Sequence, residues 1–252
     1  MAERTEYAPG TPSWVDIGST DLEATHTFYT SLFGWERQDA GPVEETGGYG
    51  FYTVRGKMVA GYGPAQAEGV WWSMYVNVDD SDAIASKVEL NGGQVLVAPM
   101  DVMTAGRMGV FVDPTGATFS TWQPQDHKGA ELVNEPGAFS WAELLTRDMP
   151  AAIAFYMAVF GWTEKNGPAA GYAEFDVDGN VVAGGMAIGP EMPAEVPAHW
   201  NIYFGVSDVD ASAAKVVELG GSVRMGPMDI HGVGRVAVVG GPHQEGFSLF
   251  QF

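Results

Sequence analysis

Apolar residues follow first a strand's alternation and then a helix's spacing, and this pairing occurs four times along the chain. A short strand is predicted to end near Thr20. Asp21 follows where an N-cap is expected, because a carboxylate there accepts the orphan backbone N–H groups of a first helical turn. Leu22, Thr25, Phe28, Tyr29, Leu32 and Phe33 then share one helical face, and Gly34 stops the helix where a left-handed residue is needed. Short β-rich runs follow at 49–54 and 58–62. The pattern then begins again with a strand at 72–78, an acidic cap, a helix at 82–90 and a Gly-Gly stop at 92–93. Further strands are predicted around 94–97, 107–112 and 117–122.

The second half repeats this order. A strand ends near Arg147, Asp148 caps a helix that stops at Gly161, and β-rich runs lie at 172–177 and 181–186, joined by the tight-turn residues Asp178-Gly179-Asn180. A strand at 200–206, a helix at 210–219 and Gly220-Gly221 follow. The match extends to the residues themselves. Trp14–Trp35 and Trp141–Trp162 align without a gap and share 8 of 22 residues, among them Phe28/Phe155, Tyr29/Tyr156 and Gly34/Gly161. VRGKMVAG (54–61) answers VDGNVVAG (177–184), WSMYVNVDDSDA (72–83) answers WNIYFGVSDVDA (200–211), and FSTWQ (119–123) answers FSLFQ (247–251). A period above 100 residues is too long for a solenoid and means duplicated domains. The expected boundaries are 7–123 and 139–252, with the polar, proline-bearing segment 124–138 as a linker. Each half itself holds two strand–helix–strands units.

Composition changes the picture mainly by exclusion. With 32 acidic against 12 basic residues the net charge is -20, which disfavours nucleic acid and anionic membrane surfaces as partners. No apolar run is long enough to cross a bilayer, and the N-terminal Met1–Glu6 lacks the apolar core of a signal peptide, so a cytoplasmic location is expected. The absence of Cys removes disulfides, thiolate nucleophiles and cysteine-ligated zinc.

The run D-x6-F-Y-x3-F-G-W from Asp21, the later V-D-D-S-D-A with its Gly-Gly stop, and F-V-D-P-T-G-A-T-F-S together resemble the vicinal oxygen chelate superfamily of glyoxalases, bleomycin-resistance proteins and extradiol dioxygenases. Two-domain actinobacterial members, described as glyoxalase-like proteins or hydroxylases, look most similar. The resemblance spans residues 12–123 and 139–252. It implies an α+β fold, a tandem duplication in which four βαβββ modules form cupped, mostly antiparallel sheets that hold a ligand.

That resemblance also implies where a metal would sit: seven residues before each first-strand cap, seven before each second cap, and seven after the Asp of the D-P-x-G turn. Those positions read Trp14, Ser73 and Ser120 in the first half and Trp141, Asn201 and Ser248 in the second. Tryptophan offers no lone pair and neutral Ser or Asn bind divalent cations weakly, so no cofactor is expected. A relocated divalent site using Glu143 and His199 is the alternative, although a two-residue step along a strand moves a ligand by about 6.6 Å.

Strand alternation otherwise points Trp14, Asp16, Tyr75, Ser120 and Trp122 into the first cup, and Trp141, Glu143, Tyr203, Ser248 and Phe250 into the second. His199 and Asn201 add polarity to the second. Arg107 and Arg235, one per repeat, are the expected partners of the carboxylates. A desolvated carboxylate among aromatics suits a small, partly apolar or aromatic molecule, and Asp16 or Glu143 could serve as general base. Two classes of function remain open: a protein that sequesters or delivers such a molecule, and a glyoxalase-like lyase, isomerase or oxidoreductase. The bland expectations are that Trp35 and Trp162 are core, that Met100 and Met228 fill gaps, that His26 is solvated and that His127 belongs to the linker. Duplication could supply internally the pairing that one-domain relatives obtain by dimerising, so a monomer or weak homodimer is expected.

Overall fold

The computed structural model describes residues 3–65, 68–190 and 192–252; Met1 and Ala2 of the N-terminal segment lie outside them. Four modules follow one another. The first holds β1 (Pro12–Ser19), α1 (Leu22–Phe33), β2 (Glu36–Asp39), the short α2 (Val43–Thr46), β3 (Gly50–Val54) and β4 (Lys57–Pro64). The second holds β5 (Val70–Asn77), α3 (Ser81–Leu90), β6 (Gln94–Val102), β7 (Gly106–Val112) and β8 (Thr118–Pro124). The third holds β9 (Phe139–Thr146), α4 (Met149–Phe160), β10 (Thr163–Asn166), β11 (Tyr172–Val177) and β12 (Asn180–Ala187). The fourth holds β13 (His199–Gly205), α5 (Val209–Glu218), β14 (Ser222–Ile230), β15 (Gly234–Gly240) and β16 (Gly246–Gln251).

The caps act as their chemistry requires. Asp21, Asp80, Asp148 and Asp208 each accept a backbone N–H three residues on. Gly34 and Gly161 end α1 and α4 at φ 70° and 73°, a left-handed geometry that a Cβ disfavours. Each pair of modules builds one eight-stranded sheet, in the orders β2-β3-β4-β1-β5-β8-β7-β6 and β10-β11-β12-β9-β13-β16-β15-β14. Among the described strand pairs, β1/β4, β5/β8, β9/β12 and β13/β16 are parallel and the rest antiparallel. The fold is therefore α+β, two tandem domains of cupped mixed sheets.

The helices lie on the convex faces, and the two convex faces pack together. Helix α1 touches α5 and α3 touches α4 across the domain boundary. Aromatic rings join there: Phe33 and Trp72 against Phe204, at 5.2 and 4.8 Å, and Phe119 against Phe155 and Tyr156, at 5.9 and 5.5 Å. One continuous core thus spans both domains. Trp35 and Trp162 belong to it, and their indole N–H groups donate to the backbone of Gly137 and Gly10.

Two tyrosines fasten the halves by nearly symmetric bonds. Tyr156 on α4 donates to Asp113 in the β7–β8 turn at 3.0 Å, and Tyr29 on α1 donates to Glu245 in the β15–β16 turn at 2.9 Å. The second turn has Gly241 where the first has Asp113. Glu245 reaches back into the space, since a Cβ on Gly241 would lie 1.9 Å from its carboxylate. The altered D-P turn therefore keeps its carboxylate by supplying it four residues later.

The segment between the sheets is no loose tether. Ala130, Leu132, Val133 and Ala138 are buried, and Glu131 accepts the backbone N–H of Met58. His26, expected in solvent, is buried instead: its Nδ1 lies 2.7 Å from the Tyr52 hydroxyl and its ring stands edge-on to Tyr62. Leaving water pushes its pKa down to about 4, so it is neutral in the fold. No helix among the described residues is long and apolar enough to cross a membrane.

Candidate functional site: two outward cups

With the convex faces packed together, the concave faces of the two sheets point away from the interdomain contact. Cross-strand register fixes what lines them, because directly paired residues share a face. In the first, Trp14 pairs with Tyr75, Tyr75 with Ser120, and Asp16 with Ser73 and Gly61. In the second, Trp141 pairs with Tyr203, Tyr203 with Ser248, and Glu143 with Asn201 and Gly184. Each floor thus carries one carboxylate among aromatic and small polar side chains.

Both carboxylates are held by phenols. Asp16 Oδ2 accepts from Tyr75 at 2.9 Å and from Tyr49 at 3.1 Å, and Trp14 Nε1 donates to the Tyr49 oxygen at 2.9 Å. Glu143 Oε2 accepts from Tyr203 at 2.8 Å, while Trp141 Nε1 donates to Tyr172 at 2.9 Å. Beside them Asn201 Nδ2 donates to Ser248 Oγ at 2.8 Å. Tyr49 and Tyr172 were not singled out in the sequence, although they recur as Gly-Tyr in GYGFYTV (48–54) and GYAEFDV (171–177). Their phenols cross the floor only because β4 and β12 carry glycine there. A Cβ on Gly61 or Gly184 would lie 2.1 or 2.0 Å from the phenol oxygen.

Burial dominates the electrostatics. Protein encloses the Asp16 carboxylate although the residue keeps a little surface on the cup side, and desolvation lifts its pKa to about 6 against the pull of Tyr75, Tyr49 and Ser73. Glu143 is raised for the same reason, with Tyr203 and Tyr172 opposing. Burial and the neighbouring carboxylate hold Tyr75 and Tyr203 well above the usual phenol range, so both stay protonated donors. Each cup therefore has a buried carboxylate whose pKa desolvation raises, able to accept a hydrogen bond or a proton from a bound hydroxyl.

Several expected residues lie elsewhere. Arg107 and Arg235 do not partner the carboxylates. They pair across the sheet with Gln123 and Gln251, one step out of phase with Trp122 and Phe250, and so face the helices. There Arg107 binds Asp82 and Asp101, and Arg235 binds Asp210 and Asp229. His199 shares the cup face but pairs opposite Leu145, bonds the Pro197 carbonyl, and makes no bond to Glu143. Met100 and Met228 do not fill core gaps. They are 50% and 37% exposed, on the concave face beside Met108 and Val236.

The cups differ in what covers them. In the first, His127 from the inter-sheet segment stands edge-on to Trp14 with ring centroids 4.4 Å apart and also packs on Phe51 and Trp122. Trp14, Tyr75 and Trp122 are buried, whereas Trp141, Tyr203 and Phe250 are half-exposed. The second cup has Glu174 where the first has Phe51, paired likewise beside the glycine.

The residues at the metal positions converge on the cup floors as Trp14, Ser73 and Ser120, and as Trp141, Asn201 and Ser248. This donor set does not fit a divalent cation. No cluster of three His, Cys, Asp or Glu side chains suited to a metal occurs among the described residues. Surface hollows of about 280 and 300 Å³ do exist, one beside Arg147 and Asp148 and one beside Phe33 and Lys215. Both lie away from the cup floors and hold none of the strongly shifted carboxylates.

Two tandem domains, each a cupped sheet built from two βαβββ modules, define the class. The chain belongs to the glyoxalase/bleomycin resistance protein/dioxygenase superfamily, whose family model matches residues 11–121 and 138–247. It is 44% identical over 259 residues to a Mycobacterium tuberculosis protein named "Putative glyoxylase CFP32", covering 100% of this chain and 98% of the relative. It is 38% identical over 268 residues to the anthracycline biosynthesis protein DnrV of Streptomyces peucetius, covering 98% and 95%. Among solved structures, the Mn(II)-bound glyoxalase of Novosphingobium aromaticivorans superposes with a TM-score of 0.67 at 17% identity, over 100% of this chain and 83% of that one. The 2,2',3-trihydroxybiphenyl 1,2-dioxygenase of Sphingomonas wittichii gives 0.66 at 16%, over 97% and 91%. At those identities the structural likeness concerns the fold.

Proposed function

We propose that this protein binds a small, partly apolar or aromatic organic molecule in its second cup, without a divalent metal, in the service of sequestration, self-resistance or natural-product tailoring. The observation that carries this reading is the half-exposed aromatic floor of Trp141, Tyr203 and Phe250 around the buried Glu143 carboxylate. Methionines extend that floor: Met186 pairs with Leu145 and Tyr172, and Met225 and Met228 lie toward the β14 edge, all three exposed. Such unbranched, polarisable side chains adapt to planar ligands. Glu143, whose pKa burial raises, would accept a hydrogen bond from a ligand hydroxyl. The relative named for anthracycline biosynthesis supports a polycyclic, hydroxylated aromatic as the ligand class. The shared interdomain core supports a monomer or weak homodimer.

The raised carboxylate pKa favours a second reading. In it Glu143 or Asp16 acts as general base, removing a proton from the bound molecule in a lyase, isomerase or related reaction. Elemental analysis of untagged protein, paired with native mass spectrometry, tests the reading. The expected result is a substoichiometric metal content, with any bound mass organic. One equivalent of Mn, Fe, Ni or Zn per chain would overturn the metal-free site and point to a centre built around Glu143 and His199.

A further inference from the structure

The inter-sheet segment places an aromatic ring inside a cage of aromatic rings. The His127 imidazole is surrounded by Trp14 at 4.4 Å, Trp122 at 5.6 Å and Phe51 at 5.7 Å, measured between ring centroids. All three belong to the concave floor of the first cup, since Trp14 shares its face with Tyr75 and Ser120, and Phe51 pairs with Gly61. The backbone around His127 is fastened: Trp122 Nε1 donates to the His127 carbonyl, and the N–H groups of Gln125, Asp126 and His127 donate to Thr104 and Ala105 in the β6–β7 turn. The ring itself is poorly satisfied. Both Nδ1 and Nε2 are buried without a hydrogen-bond partner among the described residues. Burying such groups unpaired is costly, so the ring is held by edge-on and tilted ring contacts at a penalty.

We infer that the first cup is a second ligand site for a planar aromatic group, latent because the His127 ring, held there by the strap of residues 125–129, occupies the ring's place. This rests on the reading of the second cup as a ligand site, and it adds where a second molecule goes and what excludes it. The chemistry of the cage defines the ligand class. Two indoles and a phenyl ring accept a flat π-system edge-on or face-on. Below them the phenols of Tyr49 and Tyr75 and the Asp16 carboxylate offer a hydroxyl or carbonyl a polar partner. A flat ligand carrying a hydroxyl satisfies both layers, whereas the imidazole satisfies only the first. The second cup has no ring over Trp141 among the described residues, so the cups differ in accessibility while sharing a polar floor.

The test uses the full chain and a dihydroxyanthraquinone, quinizarin, as the probe, read by calorimetric stoichiometry and by quenching of tryptophan fluorescence. Wild type should bind close to one equivalent. His127→Ala should bind close to two, the added site gaining affinity on the order of tenfold or more over its strapped form, because removing a competing occupant raises the competent fraction. His127→Phe keeps a ring in the cage and removes the unpaired nitrogens, so it should stay at one equivalent and melt higher than wild type. In a chain with Trp141→Ala and Glu143→Gln disabling the second cup, His127→Ala should restore a single site. If wild type binds and a folded His127→Ala protein still binds only one equivalent, the strap inference is wrong and the second-cup reading stands. If quinizarin binds neither protein, the second-cup reading itself is lost.

Discussion

The two cups were built from one plan, share a hydrogen-bonded pattern on their floors and differ most at their mouths. Each keeps a strand carboxylate, a phenol on the neighbouring strand, a second phenol crossing a glycine, and an indole N–H supporting that phenol. What has diverged is the cover. One cup has His127 and Phe51 against its tryptophans, and the other has Glu174 and half-exposed aromatics. Conserving a hydrogen-bonded floor in both repeats is expected when the buried carboxylate is costly unless its partners stay in place. The mouths carry no such constraint, so specificity can change there first.

The comparison can be broken most severely at the glycines. Gly184→Ala should force Tyr172 off Glu143 and cost the second cup a hundredfold or so in quinizarin affinity, with stability lowered by about 1–3 kcal/mol from overpacking. Gly61→Ala meets the same crowding from Tyr49 and should cost similar stability, yet leave wild-type binding unchanged because the first cup is strapped. Calorimetry and thermal melts on the pair separate the two effects. Next in size, Glu143→Gln should weaken binding by about tenfold to a hundredfold, the range for a lost charge-assisted hydrogen bond. Asp16→Asn should leave wild-type binding unchanged.

The Asp16 carboxylate also sets a pH dependence. Its folded pKa of about 6 lies above its unfolded value, so the folded state holds the proton more tightly. Its contribution to stability is then fully present below the unfolded pKa and is lost as pH rises through about 6, an effect on the order of 3 kcal/mol. Asp16→Asn should flatten that fall in denaturant titrations across this range. His26 and His127, both lowered to about 4 by burial, act with the opposite sign: they weaken the fold as pH drops from their unfolded value toward 4. The smallest effect expected is at the interdomain tyrosines. Tyr29→Phe should cost about 1–2 kcal/mol, more than Tyr156→Phe. Asp113 keeps the Thr115 backbone and hydroxyl donors and the Ala117 N–H when Tyr156 is lost, whereas Glu245 keeps the backbone N–H groups of His243 and of itself.

Much of this was legible in the residues. The duplicated Trp-to-Trp run, the aspartate caps and the glycine stops are local signals, and they placed helices, strands and both carboxylates on the correct faces. What escaped depended on tertiary packing. Arg107 was misplaced because the strand's phase is set by pairing with β8, and one residue of slip moves a side chain to the other face. His127 lies outside the repeat and has no counterpart to compare, so only the folded chain reveals where its ring goes. His26 sits on a helix face that would be solvated had Tyr52 and Tyr62 not packed against it. Tyr49 and Tyr172 were visible as a repeated Gly-Tyr, but their role needs the glycine on the adjacent strand, and that is a relation between strands.

The most direct test of the central claim is a calorimetric titration of chelator-dialysed protein with quinizarin, run beside Glu143→Gln under the same conditions. The account predicts a saturable site of about one equivalent in the metal-free wild type, weakened at least tenfold in the variant and unchanged by added Mn(II). Binding that appears only after Mn(II) or another divalent cation is restored, or that is indifferent to Glu143, would contradict it.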